Sequence, residues 1–230
     1  MSFFFLLLAC DAPIALRDSG ERSGGGLRLR LPLAEPDHFS LVMGVDHDPV
    51  IHGEGAEAWQ CVNYEGAGFP RCYDEHLGSD YILEGGFAAM DAGSVAVVAA
   101  AAGTVTFTDD GHYDRCHADL ASGIVDCDGH EMDANEVTVA HEGGYQTRYL
   151  HLMTDSVAVA VGDVVAAGDV LGRVGSSGNS SMPHLHLQLE DEDGAVIDPY
   201  AGPMSQPESF WCEQGTSDAL PGLCIDEAGR

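Results

Sequence analysis

Lysine is absent from this 230-residue sequence, and the positive charge rests on nine arginines against 38 acidic residues, a formal net charge of −29. Without lysine there is no Schiff-base amine, no P-loop lysine to meet a phosphate, and no attachment point for biotin or lipoate. The deficit of cations excludes nucleic acid as a partner, because such affinity comes mainly from lysine and arginine on phosphates. Long apolar runs are lacking too: no stretch approaches the ~20 residues that a membrane-spanning helix needs. Other familiar signatures fail on inspection. No Cys-x-x-Cys and no Gly-x-Ser-x-Gly elbow occurs, and His130-Glu131 and His141-Glu142 each begin a His-Glu-x-x-His match that ends on Ala134 or Tyr145.

What is present suits one domain of ordinary size with tails. A hydrophobic content of 45% is enough to bury a core, and 29 glycines and 10 prolines punctuate the chain with turns. The acidity reads as a solvated surface. At the start, residues 3–9 form an apolar run like the end of a secretory signal, and Leu7-Leu8-Ala9-Cys10 resembles a bacterial lipobox, although no basic residue precedes it. Residues 1–10 are therefore expected to be a signal and lipobox segment, with Cys10 the candidate for lipidation and membrane contact only through that lipid.

The remaining cysteines point to export independently. Cys61, Cys72, Cys116, Cys127, Cys212 and Cys224 fall into three local pairs, a distribution that suits disulfides in an oxidising compartment better than a structural zinc cluster. Six cysteines permit 15 pairings, of which we expect the sequential one, 61–72, 116–127 and 212–224.

Along the chain, residues 11–30 read as a flexible tether and 31–72 as an extension packing on a main domain at 73–203. Residues 204–230 read as a disulfide-stapled tail. Short apolar runs at 94–107, 136–140, 147–152 and 185–189 predict strands, with a hairpin turn at Gly143-Gly144. Convincing helical periodicity is missing over any length, so the core is expected to be mainly β, with few or short helices. Residues 108–135 predict a long stapled surface loop. Within it, Asp126-Cys127-Asp128-Gly129 and Asp133 have spacings that could hold Ca²⁺ but lack the EF-hand ladder, so a plain acidic loop is favoured.

Three segments could carry chemistry. Pro183-His184-Leu185-His186-Leu187-Gln188-Leu189-Glu190 alternates without a break, which on a strand sets His184, His186 and Gln188 on one face and the leucines on the other. Alone, such a pair of histidines is more often incidental than a ligand pair. His76-x-Gly78-x-Asp80 adds an imidazole and a carboxylate four residues apart, with Gly78 offering backbone latitude; turns use the same residues for capping. Tyr149-Leu150-His151 alternates again, predicting Tyr149 and His151 on one strand face.

In this order, together with Ala102-Gly103-Thr104-Val105, Gly144-Tyr145 through Leu152, Val161-Gly162-Asp163 through Gly172, and Gly175-Ser176-Ser177-Gly178-Asn179-Ser180, these pieces resemble the lysostaphin/LytM-type zinc peptidases, the M23 peptidase family. The resemblance runs from about Tyr73 to Tyr200. It departs at Gln188, where the family usually has glutamate, and in the length of the 108–135 loop. It implies an antiparallel β-sheet, barrel-sandwich-like domain with a groove, and one Zn²⁺ held by His76, Asp80 and His186. His151 and His184 stand beside the open position as catalytic histidines, with Tyr149 and Gln188 as secondary candidates. It further implies a zinc metallo-endopeptidase acting on peptide cross-links of bacterial peptidoglycan, exported to the cell envelope or secreted, and monomeric. The competing reading is a non-catalytic LytM-like regulator that activates another wall hydrolase. A biotinyl/lipoyl-like carrier, suggested by the glycine-punctuated 162–172 pattern, is excluded by the missing lysine.

Overall fold

The computed structural model describes residues 26–53, 57–93, 95–118 and 124–224. Alternating apolar positions produce twelve strands in the described residues, all paired antiparallel, and one short helix, α1 (Gly86–Asp91). The strands are β1 (Phe39–Met43), β2 (Ser79–Leu83), β3 (Ala96–Val98), β4 (Gly103–Asp109), β5 (His117–Ala118) and β6 (Val125–Asp126), followed by β7 (Glu136–Ala140), β8 (Gln146–Leu150), β9 (Val164–Val165), β10 (Val170–Arg173), β11 (His184–Glu190) and β12 (Val196–Ile197). The main sheet runs β1-β2-β11-β8-β7-β4-β9, with β12 also pairing β11; β10 pairs β3 in a second sheet, and β5 pairs β6 in a third. The architecture is mainly antiparallel β, as expected, and it is not a closed barrel.

One face of the main sheet makes the core. Leu185, Leu187 and Leu189 on β11 bury there beside Tyr81, Leu83, Val137, Val139 and Tyr149, and the second sheet adds Val97 and Leu171. The opposite face carries the polar residues of the same strands.

The run expected as a single strand at 94–107 is two strands in different sheets. Residues 99–102 carry the chain from one sheet to the other, and Gly103 lies so close to β7 that a Cβ would collide with the Ala140 carbonyl. The expected turn at Gly143-Gly144 is there, both glycines taking positive φ between β7 and β8.

The three disulfides pair sequentially, 61–72, 116–127 and 212–224. Residues 108–135 are more structured than a plain loop: β5 and β6 form a small hairpin stapled by Cys116–Cys127. Within the 11–30 stretch, Leu29 is already buried and exchanges backbone hydrogen bonds with Phe210 and Cys212, so the folded body begins before residue 30. The C-terminal segment packs back through buried Trp211. Cys10 and the rest of the signal-like segment lie outside the described residues. No helix of the described residues is long and apolar enough to cross a membrane.

Candidate metal centre and active site

Strand β11 lies between β2 and β8, and its register decides the site. His186 stands directly opposite Asp80 on β2 and Leu150 on β8, while His184 stands opposite Ile82. Directly opposed residues share a face, with Cβ atoms about 5 Å apart. The pleat therefore sets Asp80, His184 and His186 together on the polar face; the alternation predicted this for the two histidines.

His76 arrives from the loop before β2. Its Nδ1 lies 2.7 Å from the Gly44 carbonyl, leaving Nε2 to face Asp80 Oδ2 at 3.2 Å and His186 Nδ1 at 3.3 Å. His186 Nδ1 is 2.8 Å from Asp80 Oδ1. Gly78 has a role different from the backbone latitude expected of it. A Cβ there would sit 2.5 Å from His186 Nε2, so the missing side chain makes room for the imidazole.

Two further imidazoles complete the cluster. His151 follows β8 in a left-handed conformation, φ 65°, which breaks the alternation and turns its ring toward the site. Its centroid lies 4.6 Å from that of His184 and 5.8 Å from that of His186. His184 Nε2 is 3.7 Å from Asp80 Oδ1. The anchoring repeats that of His76: His151 Nδ1 is 2.7 Å from the Ser177 carbonyl, and His184 Nδ1 is 2.7 Å from the Met182 carbonyl. A carbonyl can only accept, so Nδ1 bears the proton in all three rings and Nε2 offers a lone pair.

Electrostatics follow from burial. Burial, then the neighbouring histidines, push the His151 imidazole well below the ordinary histidine value, and burial does the same to His184 less strongly. Burial works against the Asp80 charge, yet the charges of His76 and His184 and the hydrogen bonds with His186 and His76 outweigh it and hold the carboxyl well below the usual range. For His76, burial lowers basicity but the Asp80 charge wins and raises it.

The donor set fits a divalent zinc ion. His76, Asp80 and His186 offer ligand atoms that all lie within 4.8 Å of one another. Two imidazoles and one carboxylate are ligands zinc takes, and three of them leave a position open. Asp80 is a buried anion whose ion pairs among the described residues are all with imidazoles, an arrangement that a bound cation completes.

The remaining candidates part company. Tyr149 does not share a face with His151. It points into the core, where its hydroxyl accepts from Ala100 N–H at 2.8 Å and lies 2.9 Å from Thr147 Oγ1, and burial pushes it up to about 12. Gln188 lies on the polar face but donates its amide to Glu190. No metal grouping forms at residues 126–133 in the described chain: Asp126 accepts from the Asp128 backbone, and Asp128 accepts from the Tyr113 hydroxyl. The other possible grouping, Asp46 with Cys61 and Cys72, is closed by the disulfide.

Sequence reasoning missed the carbonyls of Gly44, Ser177 and Met182, because a backbone acceptor leaves no side-chain signature. It also missed Tyr73, whose ring lies 4.5 Å, centroid to centroid, from His76. Its place three residues before His76 was a usable signal.

Part of this chain is similar to known proteins. The sequence model described as Peptidase family M23 matches residues 82–199, half of the chain. The matched range begins just after Asp80, so His76 and Asp80 rest on the geometry above. The DD-carboxypeptidase/endopeptidase Mpg of Neisseria meningitidis is 32% identical over 108 residues, covering 44% of this chain and 24% of that protein. The peptidoglycan DD-endopeptidase ShyA of Vibrio cholerae is 38% identical over 60 residues, covering 26% and 14%. The match thus spans a quarter or less of the length of these relatives. The catalytic domain of the antimicrobial peptidase lysostaphin from Staphylococcus simulans is 25% identical over 54% of this chain and 76% of its own, with a TM-score of 0.37.

Proposed function

Because this chain belongs to peptidase family M23, we propose that it is an exported zinc metallo-endopeptidase that hydrolyses peptide cross-links of bacterial peptidoglycan. The observation that carries this reading is the convergence of five side chains from four separate segments on one buried spot, three of the imidazoles locked by backbone carbonyls. His76, Asp80 and His186 would hold one Zn²⁺ per chain. Bound there, the ion would polarise the scissile carbonyl and acidify a water.

The chain's own residues then handle the proton. With Nδ1–H on a carbonyl and a ring kept neutral by burial, His151 and His184 each present Nε2 as an acceptor. One takes a proton from the attacking water and returns it to the leaving amine. The other donates to the developing oxyanion from Nε2 once it has taken a proton from solvent, and keeps that proton when the carbonyl re-forms. Names of peptidoglycan endopeptidases among the relatives support the substrate class. The disulfides support an oxidising compartment.

The test uses zinc-loaded protein, cross-linked muropeptides, mass spectrometry of released fragments and metal analysis. His186→Ala is expected to lose both zinc and turnover. His184→Ala is expected to keep zinc and lose roughly 10²–10⁴-fold in kcat. Stoichiometric zinc with every cross-link intact in the unsubstituted protein would overturn the peptidase reading in favour of the regulator.

A further inference from the structure

A second polar feature lies on the extension, outside the part of the chain the family model matches. Of the six arginines in the described residues, five are engaged. Arg28, Arg30 and Arg173 donate to backbone carbonyls, Arg115 pairs with Asp91, and Arg148 pairs with Glu136 and Glu190. Arg71 alone among them meets no acceptor with its side chain. With four carboxylates for every cation in the sequence, an arginine whose side chain meets no acceptor of any kind is the exception to be explained.

Its surroundings give the explanation. Arg71 lines an open pocket of about 500 Å³ with Trp59, Gln60, Gly68 and the Cys61–Cys72 disulfide. Trp59 is 50% exposed, unusual for so large an apolar surface, and its ring stands edge-on to Tyr73 at 6.1 Å. Tyr73 in turn packs on the metal-site residue His76 at 4.5 Å. A continuous aromatic row therefore leads from the pocket to the metal centre. The backbone ties the two together as well: Gly44 N–H donates to the Arg71 carbonyl, and the Gly44 carbonyl holds His76. The disulfide and these hydrogen bonds hold the pocket walls in place before any ligand arrives, which lowers the cost of binding.

We infer that this pocket is an accessory subsite that takes a carboxylate of the peptide lying in the active-site groove, with Arg71 as its anchor and Trp59 and Tyr73 as the wall along which the peptide runs. A guanidinium fork matches a carboxylate bidentately, and a flat aromatic ring supplies area at low entropic cost. On a chain of net charge −29, an anionic substrate is repelled at most of the surface, so a cation without an acceptor beside the aromatic row also sets where such a substrate docks. The subsite rests on the peptidase reading for its occupant, and the experiment separates the two.

Only two tryptophans occur, and the other, Trp211, is 2% exposed and shielded from a ligand, so a ligand-induced change in fluorescence reports on Trp59. The zinc-loaded protein is titrated with an uncross-linked peptidoglycan stem peptide, alanyl-γ-D-glutamyl-lysyl-D-alanine with both amines acetylated so that its carboxylates carry its only charge, and with the same acetylated peptide carrying amidated carboxylates. Turnover of the matching cross-linked peptides is measured in parallel. The expected result is saturable quenching by the acidic peptide and about tenfold weaker binding of the amidated one, the loss of one charge-assisted contact. Arg71→Gln should bind both peptides equally weakly and raise KM for the acidic cross-linked substrate by a similar factor, with zinc content showing that the variant is folded. Trp59→Phe should abolish the optical signal. Equal affinity of the unsubstituted protein for the two peptides, or an unchanged preference in Arg71→Gln, overturns the subsite whether or not the cross-link is cut. Discrimination without any cleavage leaves the subsite standing and overturns the peptidase reading instead.

Discussion

Gly78 shows how much of a metal site can depend on an atom that is missing. The His186 imidazole occupies the space where a Cβ at position 78 would stand, and the Leu187 carbonyl closes the same space at 2.6 Å. Neither neighbour can retreat: one is a ligand candidate, and the other is backbone in a paired strand. Gly78→Ala should therefore displace the ring and weaken zinc binding by ~10–100-fold, the range seen when the groups that orient a metal's ligands are altered. Competition with a zinc-selective chelator checks this, and unchanged affinity would mean that the ring has room the geometry does not show. The same scale explains why Tyr149 is no part of the chemistry. Alternation predicted it beside His151, but the positive φ at residue 151 reverses the side-chain direction after one step, and that torsion is invisible in the residue names.

At the scale of elements, the loop at 175–182 orients both catalytic candidates through the carbonyls of Ser177 and Met182, and the stapled hairpin in turn supports that loop. Cys116 N–H donates to the Ser176 carbonyl, Ser176 Oγ donates back to the Cys116 carbonyl, and Ala118 N–H donates to the Ser181 carbonyl. Replacing Cys116 and Cys127 together with serine should lower stability by roughly 2–4 kcal/mol. It should also reduce kcat with zinc retained, since the metal ligands sit on β2, β11 and the 72–78 loop rather than on the buttressed one. Urea unfolding, metal content and turnover of the double variant test this, and loss of zinc in parallel with kcat would count against it.

The end of β7 supplies a second case. His141 is buried between the Ala102 carbonyl and Thr147 Oγ1, each 2.8 Å away, and burial lowers its basicity. As pH falls below the ordinary value of 6.5, the unfolded chain takes up a proton there that the folded chain refuses. The stabilisation is therefore complete above about pH 6.5 and is lost as pH falls toward the lowered folded value. The urea midpoint of His141→Gln should fall less than that of the unsubstituted protein between pH 7.5 and 5.5. Parallel pH profiles would contradict this.

For the whole molecule the dominant quantity is charge. A net charge of −29 on one chain repels itself at every separation shorter than the screening length. Raising ionic strength from about 0.01 M to 0.15 M shortens that length from roughly 30 to 8 Å. The melting temperature should therefore rise with added NaCl at constant pH, as calorimetry would show, and a flat or falling curve would mean that the acidic groups are locally compensated.

Much of this was legible from the residues alone. Period-two alternation in 184–190 set the two histidines on one face, cysteine spacing set the disulfide pairs, and the missing lysine removed whole classes of chemistry. These are local properties: side-chain direction in a strand and the reach of a short loop depend on neighbours a few positions away. Tertiary structure alone decided that β2 pairs β11 in the register that sets Asp80 against His186, that the 94–107 run divides between two sheets, and that carbonyls 44, 177 and 182 aim three imidazoles. It also decided that Arg71 stands without a carboxylate beside an aromatic row leading to the metal centre. Asp80 and His186 are 106 residues apart in the chain, and pairing over that distance follows from packing the entire chain at once.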